Sequence, residues 1–238
     1  MEKFISIIIP VYNEPDINIT IDKIKSQDYS SLEILVIDGE ESGRTINTIE
    51  NKSVKKYISA QGRANQMNFG AEKASGEILL FLHADSILPT NALTKVNKII
   101  LSGYKVGCFN IKFQSKNYIL REIISRTSSI RGRITRLPYG DQGHFFKKKY
   151  FDIIGGYAEI PIMEDIEIMT RIKHRKDKIF IIPDRIKTST RRWEEEGMLY
   201  VMLRNPILSS LFLLGVPAEK LYKYYPRAKK YKDIKMEV

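Results

Sequence analysis

Carboxylates stand where apolar runs stop. Ile78-Leu79-Leu80-Phe81-Leu82 leads into His83-Ala84-Asp85-Ser86, and the run ending Val36-Ile37 leads into Asp38-Gly39. The first run, Phe4 to Ile9, gives way to Pro10-Val11-Tyr12-Asn13-Glu14. Short apolar runs bounded by turn residues predict buried strands. Ligands of open α/β sheets bind beyond the carboxyl ends of such strands. Carboxylates placed there bind ribose hydroxyls or a base edge, and one can hold a divalent cation against a diphosphate. A strand-end Asp can equally cap its own turn. A further acidic pair, Glu164-Asp165, opens the helical pattern Ile168, Met169, Ile172. Acids in a first helical turn are also ordinary caps.

Such groups need elements that bring them together. Strands are expected at Phe4–Ile9, Glu33–Ile37, Val54–Ser59 and Ile78–Ser86. Between them lie helices marked by Ile17, Ile21 and Ile24, by Ser42-Gly43-Arg44-Thr45, and by Ala64, Met67 and Ala71 within Gly62–Ala74. A helix over Pro89–Ile100 follows, with Pro89 in or near its first turn. Strand-helix alternation over the first hundred residues predicts right-handed βαβ units and a doubly wound sheet. The pattern then loosens. Strands are expected at Gly107–Gln114, Gly143–Phe146, Ile179–Ile182 and Arg185–Thr188, and helices at Tyr118–Ile134 and Tyr150–Ile154. The arginines within Tyr118–Ile134 read as a solvated basic face or as an anion site. Residues 198–216 are apolar, and the run between Pro206 and Pro217 is far shorter than the ~20 residues of a spanning helix. It suits packing on the domain, a dimer contact or an interfacial membrane contact. The tail from Lys220 is basic and rich in tyrosine.

The chain has 238 residues, 43% of them hydrophobic, which is enough for one sizeable α/β domain with a small extension. Thirty-nine Lys and Arg against 28 acids leave +11, a charge that favours anionic partners. No aromatic-basic recognition motif accompanies it, so nucleic acid is not an expected partner. A single cysteine, Cys108, excludes an internal disulfide and a cysteine zinc site. The chain enters its first strand without a signal peptide, and the expected location is cytoplasmic, with peripheral contact at the inner membrane face open to residues 198–216. Neither a Gly-x-Gly-x-x-Gly after the first strand nor a Gly-Lys-Ser/Thr loop is present. Phosphates would therefore need a metal and basic side chains.

Several motifs in order resemble the family 2 glycosyltransferases, inverting enzymes of the GT-A fold. They are Ile7-Ile8-Ile9-Pro10-Val11-Tyr12-Asn13-Glu14, Val36-Ile37-Asp38-Gly39, Gly62-Arg63-Ala64-Asn65, His83-Ala84-Asp85, Met163-Glu164-Asp165 and Arg191-Arg192-Trp193. With Gly140-Asp141-Gln142-Gly143 they are similar, more narrowly, to bacterial selenodomain-associated or arsenosugar-biosynthesis transferases.

The resemblance implies a mainly parallel central sheet flanked by helices, with a helical C-terminal extension. It implies a GT-A domain over 1–193, divided into a nucleotide-binding half (1–100) and an acceptor half (101–193), then a basic extension over 194–238. It implies transfer of a sugar from a nucleotide-diphosphate sugar, UDP-linked by default, to the hydroxyl of a small or lipid-linked acceptor. Pro10, Tyr12, Glu14, Asp38, Arg63, His83, Ala84 and Asp85 would bind the nucleotide sugar. Asp85 would hold Mg2+ or Mn2+, and Asp165 would be the base. Asp141, Gln142, Glu164, Arg192 and Trp193 would border the acceptor. His83 stands in place of the first acid of the family's Asp-x-Asp motif, and Ser189 in place of a Gln, so metal binding and acceptor contacts depart from the pattern. A nucleotidyltransferase using a nucleoside triphosphate, or a nucleotide-sugar-binding protein without catalysis, are the alternatives.

Overall fold

The computed structural model describes residues 2–114, 118–190, 194 and 196–225. One eight-stranded mixed sheet carries the chain. Its strands are β1 (Ile5–Val11), β2 (Leu32–Asp38), β3 (Lys55–Ile58), β4 (Ile78–Phe81), β5 (Ser86–Ile87), β6 (Val106–Gln114), β7 (Phe145–Lys147) and β8 (Ile179–Ser189), in the order β3-β2-β1-β4-β7-β6-β8-β5. β1, β2, β3 and β4 pair in parallel, as strand-helix alternation predicts. β7 runs antiparallel to both neighbours, β4 and β6.

The helices are α1 (Ile17–Lys25), α2 (Arg44–Asn47), α3 (Arg63–Lys73), α4 (Ala92–Leu101), α5 (Tyr118–Thr135), α6 (Lys148–Ile153), α7 (Glu164–His174), α8 (Met198–Leu213) and α9 (Ala218–Tyr222). Alternation along β1 divides the core in two. Ile5, Ile7 and Ile9 pack with Ile17, Ile21 and Ile24 of α1 and Leu93 and Val96 of α4. Ile8 packs on the other face with Ala64, Met67 and Ala71 of α3, Ile166 and Met169 of α7 and Leu208 of α8. Helices therefore cover both faces, and every residue of β4 is buried, which is why its sequence reads as an unbroken apolar run.

Several expected boundaries move. The strand expected over Ile78–Ser86 ends at Phe81; 82–85 form a loop and Ser86 starts β5 on the far edge. The two strands expected on either side of Pro183 are one strand, β8, because a register shift opposite Phe109/Asn110 absorbs the irregularity. Pro89 lies ahead of α4, its carbonyl accepting the Ala92 N–H. α8 runs through Pro206.

Candidate active site

The antiparallel β7 decides what meets at the sheet's carboxyl end. Leu80 of β4 pairs with Phe145, and the Phe81 N–H donates to the His144 carbonyl at 2.8 Å. The loop before β7, residues 138–144, is thereby set beside the loop after β4. Gly140 marks the junction: a Cβ built on it would lie 3.5 Å from Asp165 Oδ2 and 3.5 Å from His83 Nε2. Segments near 83, 140 and 165 thus meet at the carboxyl end of the sheet.

Asp165 sits in the first turn of α7. Its Oδ2 accepts the Gly140 N–H at 2.7 Å and its Oδ1 accepts the Ile166 N–H at 2.8 Å. Two backbone donors fix the carboxylate's direction. Glu164 beside it is 4% exposed, with Oε1 3.7 Å from Nη1 of Arg63. Burial raises the Glu164 carboxyl above the usual carboxylate range, Arg63 opposes this and Asp165 adds to it. Asp141 is pushed up to about 7 by burial and by the Asp165 charge, against Arg131 and Arg63, with Asp85 contributing to the rise. Asp85, Asp141, Asp165 and Arg63 therefore act on one another through one electrostatic environment.

The 83–85 loop is pinned from three sides. Leu82 N–H donates to Ile8, Thr20 Oγ1 to the Ala84 carbonyl, and Ser86 N–H to the His83 carbonyl. Asp85 is exposed, with Thr188 Oγ1 3.5 Å from its Oδ1. Pro10, Tyr12 and Glu14 are partly buried at the end of β1, and the Glu14 N–H donates to Thr45 Oγ1 at 3.0 Å. Asp38 is wholly buried. Its carboxylate accepts the N–H groups of Glu40, Thr45 and Ile46, so it builds the turn into α2. Gln142 is 1% exposed and likewise engaged, accepting from Tyr139 N–H and donating to the Phe109 carbonyl. Arg192 and Trp193 lie outside the described residues.

Three contributors, Gln66, His144 and Arg131, are not among the expected site residues. Gln66 of α3 donates to the carbonyls of Val11 and Ile37, both at 2.7 Å, tying the ends of β1 and β2 together. His144 is buried, with Nδ1 3.3 Å from the Tyr157 hydroxyl and Nε2 3.2 Å from the Pro138 carbonyl. Burial holds its pKa down, so the neutral ring steadies the loop that carries Gly140. Arg131 stacks on Tyr139 at 3.4 Å and donates to the Leu137 carbonyl. Only the glycine-punctuated 140–143 loop leaves a trace in the sequence.

Among the described residues no group of three or more His, Cys, Asp and Glu side chains is gathered to hold a metal ion. Asp85 offers a hard carboxylate donor and His83, two residues before it, an imidazole; these donor types suit a divalent cation whose remaining oxygens come from a diphosphate.

This sheet order, with an acidic cleft at its carboxyl end, is the GT-A fold. A mannosyltransferase from Pyrobaculum calidifontis in complex with GDP-Man and Mn2+ aligns over 94% of this chain and 68% of its own, with a TM-score of 0.63 at 17% identity. TarS from S. aureus, in complex with UDP-GlcNAc, aligns over 79% of this chain and 59% of its own, with a TM-score of 0.62 at 17% identity. The chain belongs to glycosyl transferase family 2, whose model matches residues 6–160. Similar curated proteins include an uncharacterized glycosyltransferase of Haemophilus influenzae, 34% identical over 43% of this chain and 44% of its own length. Another is the UDP-Glc:alpha-D-GlcNAc-diphosphoundecaprenol beta-1,3-glucosyltransferase WfgD of Escherichia coli, 31% identical over 53% of this chain and 49% of its own. The matches thus span about half the length of these relatives or less.

Proposed function

We propose that the chain transfers a sugar, with inversion, from a nucleoside-diphosphate sugar to an acceptor hydroxyl. The observation that carries this is the approach of the Gly140 loop, which carries Asp141, to both Asp165 and His83, with Arg63 Nη1 3.7 Å from Glu164 Oε1, from segments far apart in sequence. Pro10, Tyr12 and Glu14 wall the nucleoside side, on a turn that Asp38 holds in place. Arg63 draws the diphosphate. A divalent cation held by Asp85, with His83 beside it, would offset charge developing on the leaving diphosphate.

Asp165 faces the acceptor. It takes the proton from the acceptor hydroxyl as that oxygen attacks the anomeric carbon. The new carbon–oxygen bond forms on one face while the bond to the diphosphate oxygen breaks on the other, and the nucleoside diphosphate leaves with the bonding pair. The two backbone N–H groups on Asp165 keep its carboxylate aimed throughout. Asp141 and Glu164 border the acceptor, as the family resemblance also implies for Arg192 and Trp193, and Gln142 shapes the loop that carries Asp141. Residues 1–100 form the nucleotide half and 101–193 the acceptor half.

A UDP sugar is the first donor to test, because TarS is described with UDP-GlcNAc and WfgD is named for UDP-Glc. The acceptor is a small molecule or a lipid-linked one; the second choice has support in the diphosphoundecaprenol of the WfgD name. The resemblance to arsenosugar-biosynthesis transferases supports the first. A panel of nucleotide sugars and nucleoside triphosphates, each with and without Mn2+, tests the reading by thermal shift. A nucleotide sugar with Mn2+ is expected to raise Tm more than the matching triphosphate does. A larger shift with the triphosphate favours nucleotidyl transfer and overturns the proposal.

A further inference from the structure

α8 is built the wrong way round for a helix facing water. A surface helix normally turns charged residues outward and apolar ones to the core. Between residues 198 and 216 the only charged side chain is Arg204, and it points inward. It is 6% exposed, pairs with Glu196, and lies against the rings of Tyr200 and Tyr225 at 5.2 and 5.0 Å. The outward face carries Tyr200, Leu203, Ile207, Leu211 and Leu214, from 36% to 82% exposed. Their spacing of three or four residues aligns them in one stripe about 20 Å long.

The inward face touches the cleft. Ser209 of α8 bonds the Tyr139 hydroxyl at 2.9 Å, its hydroxyl lies 3.8 Å from Met163 sulfur, and Leu208 is buried in the core. Tyr139 precedes Gly140, and Met163 precedes Glu164 and Asp165. The helix is thus one wall behind the acceptor side, with its apolar stripe on the opposite face.

We propose that this stripe lies in the headgroup boundary of an anionic lipid bilayer. Among the described residues no helix is long and apolar enough to cross a membrane, so the contact is one of lying in the surface. Charge selects the bilayer over a second copy of the chain. The sequence from 217 to 238 carries seven Lys and Arg against three acids, and Lys220 and Lys223 are exposed directly after α8. Lys220 and Lys223 gain from an anionic surface. A second copy of the chain, itself at +11, offers these lysines no such complement. The exposed rings of Tyr200 and Tyr224 suit the same boundary, apolar in body and polar at the tip. The inference stands on α8 alone. Its consequence, that the acceptor is an amphiphile presented at the lipid surface, rests on the transferase reading.

Flotation of the full chain with vesicles tests it. The wild type is expected to float with phosphatidylcholine vesicles containing phosphatidylglycerol, and more weakly with phosphatidylcholine alone or in high salt. Leu203→Glu combined with Ile207→Glu alters two exposed positions and is expected to lower the bound fraction about tenfold or more, with Tm unchanged. A wild type that stays in the dense fraction with anionic vesicles overturns the proposal, as does a double variant that floats equally well. Equal flotation on neutral and anionic vesicles overturns the part played by charge. Sedimentation as a dimer that the double variant dissociates, without flotation, assigns the stripe to a second copy instead. Because no sugar donor enters the assay, failure of the transferase reading leaves its result untouched.

Discussion

Asp141 shows how the cleft works at the scale of one side chain. Burial and the neighbouring Asp165 make its charged form costly, and its carboxyl titrates at about 7. The folded chain therefore holds this proton more tightly than the unfolded chain does. Such a group favours folding at low pH and costs stability as pH rises from its ordinary value of 3.8 to about 7. Asp141→Asn keeps the shape and removes the charge. Its melting temperature, followed by calorimetry, is expected to gain on the wild type steadily across that interval and to level off above it. A constant difference at all pH values would show that the Asp141 charge is not confined by its neighbours. The strand-end acids were legible in the sequence because a carboxylate interrupts an apolar run. The partners that aim them were not. The Gly140 N–H carries no side-chain signal, and His144 and Tyr157 become a pair only when the sheet brings 144 beside the Pro138 carbonyl.

At the scale of elements, the parallel half follows the sequence closely, because buried parallel strands are apolar without interruption. The other half does not. β7 has three residues, too few for any periodicity, yet its antiparallel placement carries residues 140–143 into the cleft. β8 passes Pro183 by a register shift that only its pairing with β6 reveals. α8 keeps Pro206 despite the usual cost of a proline in a helix interior, and sets it on the exposed face. The tightest fit lies under α3. A Cβ at Gly70 would come within 2.5 Å of Ile8 Cγ2 and 3.1 Å of Ile37 Cγ1. Gly70→Ala gains about 1 kcal/mol in helix propensity. Overpacking costs about 1–3 kcal/mol. The expected net result is a lower urea midpoint, with α3 lifted from β1 and β2. A raised midpoint would mean that the helix is not seated as closely as the structure has it.

The whole molecule separates stability from chemistry along the sheet. At the amino ends of the strands, Glu33 is 8% exposed and accepts from Ser6 Oγ at 2.5 Å and Ser75 N–H at 2.6 Å, with Lys55 Nζ at 2.6 Å. Burial raises the Glu33 carboxyl, but these donors outweigh it and hold it below the ordinary value of 4.5. A carboxyl lowered on folding stabilises the chain above its unfolded value and loses that effect as pH falls through the folded one. Glu33→Gln is expected to cost about 1–3 kcal/mol near neutral pH, because Lys55 is partly solvated, and less as pH falls through the lowered folded value. Donor binding by the folded variant should match the wild type; a large loss would mean that the two ends of the sheet are coupled. At the carboxyl ends, in the proposed mechanism, acids from distant segments divide one reaction between them, Asp85 on the donor diphosphate and Asp165 on the acceptor hydroxyl. The most direct measurement pairs donor affinity, by calorimetry with Mn2+, with product formation in the variants Asp85→Asn and Asp165→Asn. Asp165→Asn is expected to bind donor like the wild type and to lose at least about a hundredfold in turnover, while Asp85→Asn loses donor affinity as well. Turnover kept at the wild-type level in Asp165→Asn would contradict the assignment of the base, and with it the shared cleft as the seat of the reaction.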